Sequence, residues 1–244
     1  MRIEGATALV TGANRGLGRA LAWALVERGA RRVYGAARDP GKVDIPGVEP
    51  VALDVTDHAQ VVAAAERCGD LDLLVNNAGV LRRAALIGAS SLEDARCEME
   101  VNYFGTLAMC RAFAPVLARN GGGAIVNVHS VVSFFTPPDS GSYAASKSAQ
   151  WSLTNGIRVE LAPQGTHVVG LHVGFIDTDM AAGVEAPKIA PEAVAAQALD
   201  GVEAEVPEVL ADETARHLKA ALPRDQELVY PGIRAAWLEA VGRS

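Results

Sequence analysis

Residues 6–10, ATALV, run directly into a glycine-rich stretch, TGANRGLG (11–18), and then into a segment with Leu17, Leu21 and Leu25 at four-residue spacing that stops near Gly29. A short apolar run predicts a buried strand, and a four-residue apolar period predicts a helix packed on it. Strand, tight turn and helix in this order restrict the chain to a small set of folds. The alternation then repeats. Residues 31–37, 48–55, 71–79, 123–130, 167–174 and 207–212 predict further strands, with helical segments at 57–67, 92–119 and 143–162. Apolar strands separated by helices imply an α/β, doubly wound architecture in which a parallel sheet of about seven strands is covered on both faces by right-handed crossovers. No linker or repeat divides the chain, so residues 1–244 read as one domain.

Two segments break the alternation. RDPGKVDIPG (38–47) carries two prolines and two glycines, which predicts a loop or single turn where a crossover helix would normally lie. The acidic, Ala-rich stretch 178–206, interrupted by Pro187 and Pro191, reads equally as a lid over a site or as a surface excursion.

Composition excludes several functions. The net charge is −7 with 29 scattered acids, which argues against a polyanion partner and favours a small molecule. Cys68, Cys97 and Cys110 are odd in number and lack CxxC spacing, so neither a disulfide frame nor a metal site is expected. The N-terminus lacks the apolar core of a signal peptide, and no stretch approaches the ~18 apolar residues of a membrane span. A soluble, cytoplasmic protein is expected.

The glycine turn has a specific use. Gly12, Gly16 and Gly18 sit between the first strand and first helix, where one glycine permits the tight turn, one lets backbone N–H groups approach a pyrophosphate, and one lets helix and strand pack closely. The helix N-terminus adds its positive dipole end. TGANRGLG resembles the TGxxxGxG motif of the short-chain dehydrogenase/reductases, and NNAG (76–79) resembles that family's second signature. The resemblance runs from the first strand to about residue 180. It implies a Rossmann fold and a nicotinamide cofactor held by Gly12, Asn14, Arg15, Gly16, Leu17 and Gly18, by Asn76, Ala78 and Gly79, and, at the adenine, by Asp54 and Val55 of LDV (53–55). Ala37 stands where NAD-preferring members carry an aspartate, and Arg38 follows it. Arg38 and Arg15 are cations suited to a 2′-phosphate, so NADP(H) is the expected preference, with NAD(H) possible.

Tyr143 and Lys147 in SYAASKSAQW stand at i and i+4, on one helical face. Carbonyl reduction requires a proton donor opposite the hydride. A phenol serves if a fixed cation lowers its pKa from near 10. The family likeness of YxxxK extends to Lys147 a second role, holding the nicotinamide ribose. It also assigns Ser130 to the substrate carbonyl, with Ser133 as a weaker candidate, and Asn102 to a water that links the lysine to solvent. Gly174, Ile176 and Thr178 match the family's carboxamide and phosphate contacts, although Val173 replaces the usual proline and predicts a less constrained turn. His129 and His172 read as structural.

Phe134, Phe135 and two prolines between Ser130 and Tyr143 predict an apolar wall, with residues 80–86 opposite, and hence an apolar or aromatic ketone, aldehyde or alcohol. The C-terminus lacks the Gly-rich ending common in ketoacyl reductases of fatty-acid synthesis. The leading expectation is an NADP(H)-dependent oxidoreductase. An epimerase or dehydratase of the wider family and a non-enzymatic cofactor sensor are the alternatives. The resemblance further implies a homodimer or homotetramer built on the helices at 92–119 and 143–162.

Overall fold

The computed structural model describes residues 1–242. Seven strands, β1 (Thr7–Thr11), β2 (Arg32–Ala37), β3 (Val48–Ala52), β4 (Leu73–Asn76), β5 (Gly123–Val128), β6 (Thr166–His172) and β7 (Glu208–Leu210), form one sheet in the order β3-β2-β1-β4-β5-β6-β7. All neighbours pair in parallel. The order reverses between β1 and β4, so their carboxyl ends flank a crevice where open parallel sheets bind ligands. Pro50, which cannot donate to a ladder, sits on the edge strand β3 opposite Gly35.

The period-2 alternation of each strand divides the core between two faces. Ala8 and Val10 of β1 face α1 (Gly16–Glu27), where they join Leu17, Leu21 and Leu25. Leu9 faces the other way, into a cluster with Val61 of α2 (His58–Arg67). Beside α2 on this face lies α4 (Thr106–Arg119), which continues α3 (Glu93–Met99) as one helix through a π-type turn at Glu100–Gly105. Met109, Phe113 and Leu117 of α4 and Ile157 of α5 (Gly141–Leu161) complete that second core. Cys68 and Cys110 lie in it as thiols that burial pushes up to about 12.

The connection after β2 is a single 3₁₀ turn, Pro40–Lys42, as its prolines and glycines predict. The stretch 178–206, expected to be either a lid or a surface excursion, instead contains a packed helix. Pro191–Glu203 forms α6, a crossover helix whose Val194, Ala195, Leu199 and Val202 are buried in the same core as α1. Proline at its first position starts this helix rather than breaking it. Residues 175–190 hold only a single 3₁₀ turn, Asp179–Ala181, and are pinned at their base by an isolated bridge between Ile176 and Ile189. Three helices follow β7: α7 (Glu213–Ala221), α8 (Asp225–Leu228) and α9 (Tyr230–Gly242).

Gly18 sets the distance between α1 and β1. A methyl group built there would run into the Gly12 carbonyl oxygen and the Asn77 side-chain amide. Gly18→Ala is therefore expected to lower the unfolding free energy by about 1–3 kcal/mol, as forced overpacking does. This would appear as a lower urea midpoint at unchanged slope. A variant with the parent's midpoint would contradict this close approach.

Candidate active site

The glycine turn and NNAG are two halves of one clasp. The Thr11 hydroxyl accepts hydrogen bonds from the backbone N–H groups of Asn77 (3.0 Å) and Ala78 (3.0 Å) and donates to the Val75 carbonyl (3.3 Å). The Asn77 amide returns a bond to the Thr11 carbonyl at 2.9 Å. Gly12 and Gly16 have φ of 68° and 51°, in the left-handed region that favours glycine. Arg15 precedes α1 without a side-chain cap, and no acidic residue lies in the first turn. Among the described residues no carboxylate or hydroxyl occupies the amides that open this helix, and they fit an anionic pyrophosphate.

Asn76 is displaced from its expected role. Its side chain is turned into the core, where its amide donates to Asn127 Oδ1 (2.9 Å) and Cys110 Sγ (3.3 Å). The reason is strand parity: Asn76 shares the face of Leu74, not that of the cleft. Arg15 pairs with Asp179 at 3.6 Å across an exposed gap. Arg38 makes no hydrogen bond or ion pair among the described residues. The Asp39 carboxylate is engaged by the Gly41 N–H (3.1 Å) and by Lys42 (3.7 Å). One Asp54 oxygen accepts from the backbone and hydroxyl of Thr56.

The four remaining candidates converge from different elements. Ser130 follows β5, and Tyr143 and Lys147 lie on α5. Asn102 enters from the π-type turn, a distortion that re-aims side chains within a helix. Asn102 Oδ1 accepts from the Val80 N–H (2.9 Å), while its amide donates to the Val80 carbonyl (3.0 Å) and to Ser146 Oγ (2.9 Å). Lys147 Nζ donates to the Val128 carbonyl and to Gln150 Oε1, both at 2.9 Å. Gln150 then donates to Thr106 Oγ1, and Thr106 to the Asn102 carbonyl, so protein side chains join Lys147 to Asn102. Gly79 faces both: a β-carbon there would lie 3.1 Å from Asn102 Oδ1 and 3.7 Å from Lys147 Nζ.

Burial dominates the electrostatics of this cluster. It pushes the Tyr143 hydroxyl up to about 12, against the pull of the Ser130 hydroxyl and with a smaller push from the Glu98 carboxylate. It lowers the Lys147 ammonium to about 7. The expected lowering of the phenol by the lysine is absent from this arrangement. Nζ lies 5.9 Å from the Tyr143 ring centroid, and removal from water outweighs its charge.

Three supports were not visible in the sequence. Glu98, fully buried, accepts from the Arg82 N–H (2.7 Å) and from Ser142 Oγ (2.5 Å), tying the segment after β4 to the residue beside Tyr143. Asp212 accepts from the Gly174 N–H at 2.7 Å and caps α7 through the Ala215 N–H, also at 2.7 Å. The turn that Val173 was expected to loosen is thus held by a carboxylate instead of a proline ring. Gln150 is the third. The expected apolar wall is also altered: Phe134 is buried, stacked 4.4 Å from His172 and edge-on to Trp151, which leaves Phe135 as the half-exposed phenylalanine of that loop.

A family model described as short chain dehydrogenase matches residues 6–188. The chain is a short-chain dehydrogenase/reductase. Among curated relatives of this short-chain dehydrogenase/reductase, 3-oxoacyl-[acyl-carrier-protein] reductase FabG of Thermotoga maritima is 34% identical over 197 residues, covering 74% of this chain and 78% of that protein. Short chain dehydrogenase tazN of Aspergillus terreus is 36% identical over 203 residues, which are 76% of this chain but 44% of the relative's length. Among solved structures, a short chain dehydrogenase from Burkholderia cenocepacia in complex with NADP is 43% identical with a TM-score of 0.91, covering 96% of this chain and 99% of that one. A short chain dehydrogenase/reductase from Burkholderia phymatum in complex with NAD is 27% identical with a TM-score of 0.83, covering 93% and 96%. These comparisons place the chain in the oxidoreductase family and support a nicotinamide cofactor. No helix among the described residues is long and apolar enough to cross a membrane.

Two predictions follow from the buried charges. Lys147 titrates near 7 when folded and near its ordinary 10.5 when unfolded, so between these values the unfolded chain binds more protons and stability rises with pH. The raised Tyr143 value acts oppositely, but only above its ordinary value of 10. Lys147→Met is therefore expected to be most favourable relative to the parent at pH 6–7 and to lose ground toward pH 10, as measured by urea denaturation across the range. A stability difference that does not change with pH would refute the buried-ammonium assignment. Glu98→Ala leaves the Arg82 N–H without an acceptor and Ser142 Oγ with only the Ala84 carbonyl at 3.4 Å, and is expected to cost about 1–3 kcal/mol, whereas Glu98→Gln, which retains one acceptor and one donor, should cost less by the same assay.

Proposed function

We propose that this protein is an NADP(H)-dependent oxidoreductase that interconverts a carbonyl, ketone or aldehyde, and an alcohol, with cofactor cleft and reacting groups carried by the single unit formed by residues 1–244. The observation that carries the reading is the convergence of Ser130, Tyr143, Lys147 and Asn102 on the carboxyl side of the sheet, with Gly79 of NNAG against Lys147 Nζ. The nicotinamide cofactor supplies or accepts the hydride when bound. Tyr143, held protonated at neutral pH by burial, gives its phenolic proton to the substrate oxygen during reduction. The Ser130 hydroxyl donates to the same oxygen and orients it. Lys147, fixed by Val128 and Gln150, would hold the cofactor ribose.

The adenosine end favours NADP(H). Arg38 is unpaired among the described residues, while Asp39, whose charge would oppose a 2′-phosphate, is occupied by its own turn and by Lys42. The complex of the Burkholderia cenocepacia relative with NADP agrees with this preference. An apolar or aromatic substrate is favoured by Leu86 and Ile87 after β4 and by Phe175 and Met180 after β6, all exposed on segments that leave the carboxyl edge of the sheet. A homodimer or homotetramer is supported by a surface groove of about 340 Å³ along α5, lined by Tyr103, Leu153, Gly156 and Glu160, with Phe104 and Val159 exposed in the same pair of helices. A cytoplasmic setting agrees with this cofactor chemistry.

The test is NADPH turnover over a panel of ketones, aldehydes and a β-ketoacyl thioester. Tyr143→Phe is expected to lower kcat about 10²-fold or more while NADPH affinity stays within about twofold. A Tyr143→Phe protein as active as the parent would exclude this chemistry. In binding titrations NADPH should bind more tightly than NADH, and Arg38→Asp should weaken NADPH about tenfold or more by losing a charged hydrogen bond. Tighter binding of NADH by the parent would reverse the cofactor assignment.

A further inference from the structure

Behind Ser130 lies a buried polar chain that the proposed chemistry does not use. The Ser130 carbonyl accepts two bonds from Ser133, one from its N–H at 3.0 Å and one from its hydroxyl at 2.6 Å. Ser133 Oγ also lies 3.1 Å from Nδ1 of the fully buried His172. A serine hydroxyl has one proton. With that proton given to the Ser130 carbonyl, the bond to His172 must run from Nδ1–H to the serine oxygen. This direction requires a proton on His172 Nδ1.

The far side of the ring reaches the C-terminal part of the chain. Glu208 Oε1 on β7 stands 3.3 Å from His172 Nε2, off the line of a good hydrogen bond, and 2.7 Å from Lys219 Nζ on α7. Lys219 also lies over the rings of Trp151 (4.5 Å) and Phe134 (5.2 Å). His172 stacks on Phe134 at 4.4 Å and meets His129 at 4.7 Å with the rings tilted by 34°, so neighbouring rings restrain its plane. His129, with both ring nitrogens buried and unpartnered, supplies contact and no hydrogen bond. Glu208 and Lys219 lie beyond residue 188, where the match to the family model ends.

We propose that His172 and Ser133 are positioning residues for Ser130. The imidazole Nδ1–H fixes the Ser133 hydroxyl, which holds the Ser130 carbonyl and so sets the backbone from which the Ser130 side chain is presented to the substrate oxygen and to Tyr143. This rests on the oxidoreductase reading above for the role of Ser130. It gives Ser133 a place in the site distinct from the direct substrate contact that its sequence position also allowed.

The test compares Ser133→Ala, His172→Phe and His172→Asn in the full chain. Asparagine places an amide N–H near the position of Nδ1, whereas phenylalanine keeps the stacked ring without the donor. Ser133→Ala and His172→Phe are expected to lower kcat about tenfold or more, with NADPH affinity within about twofold of the parent, and His172→Asn to recover most of the loss. A purely structural role would lower thermal stability and leave kcat per folded molecule unchanged. Should His172→Phe not fold, Ser133→Ala alone decides, and a Ser133→Ala kcat within about twofold of the parent overturns the proposal.

A second readout needs no substrate. Ultraviolet titration of Tyr143, taken as the difference from Tyr143→Phe, should move in Ser133→Ala in the same direction as in Ser130→Ala. A parent inactive on every carbonyl but showing this shift would sink the proposed activity and keep the positioning. An active parent whose Tyr143 titration and kcat are both untouched by Ser133→Ala would do the reverse.

Discussion

The hydroxyl of Thr11 is the contact on which the rest of this site depends. It lies at the end of β1, buried, and receives two backbone amides from the end of β4. Adjacent parallel strands diverge at a topological switch point because their crossovers leave in opposite directions. That divergence opens the crevice and would also let its walls drift apart. Thr11 and Asn77 close the base of the gap with hydrogen bonds in both directions, so the glycine turn and the residues leading to Gly79 move as one body. Gly18 then brings α1 onto this base, and the free amides of its first turn face the crevice at a fixed depth.

On this frame the site is built from dense polar contacts within the chain. Lys147, Glu98, Asn102, Gln150 and Thr106 are all buried, and each has its hydrogen bonds supplied by the chain. Geometry is thereby well determined, whereas charge is not favoured: both Tyr143 and Lys147 are driven toward their neutral forms. A raised value keeps the phenol protonated at physiological pH, makes it a weaker acid and makes its phenolate a stronger base, so release of the proton depends on charge supplied from outside this cluster.

The sequence made legible what local spacing encodes. The four-residue apolar period of α1, the i and i+4 placement of Tyr143 and Lys147, the glycine turn and the prolines of 38–47 are all properties of neighbouring residues. Contacts between distant residues were not legible. Glu98 meets Ser142 across 44 positions and Asp212 meets Gly174 across 38, and neither pair has a spacing that marks it. Phe134 looked like a pocket wall because it stands in an apolar run beside Ser130. Only the packing of Trp151 and His172 around it shows that it faces inward. The burial of Asn76 was within reach, since the alternation of β4 already puts it on the face of Leu74. The segment 178–206 misled because a proline that starts a helix and one that breaks a helix look alike until the partner helix α1 is known.

The two oxygens of Asp212 have a consequence for modularity. One holds the N–H of Gly174 within the segment matched by the family model, and the other starts α7 outside it. The cleft-forming first three-quarters of the chain and its C-terminal helices are therefore not interchangeable parts. A recombinant joined near residue 188 would inherit intact glycine and YxxxK motifs and still lose the carboxylate that shapes the turn after β6. In this chain the backbone of the turn after β6 and the start of α7 are set by the same side chain.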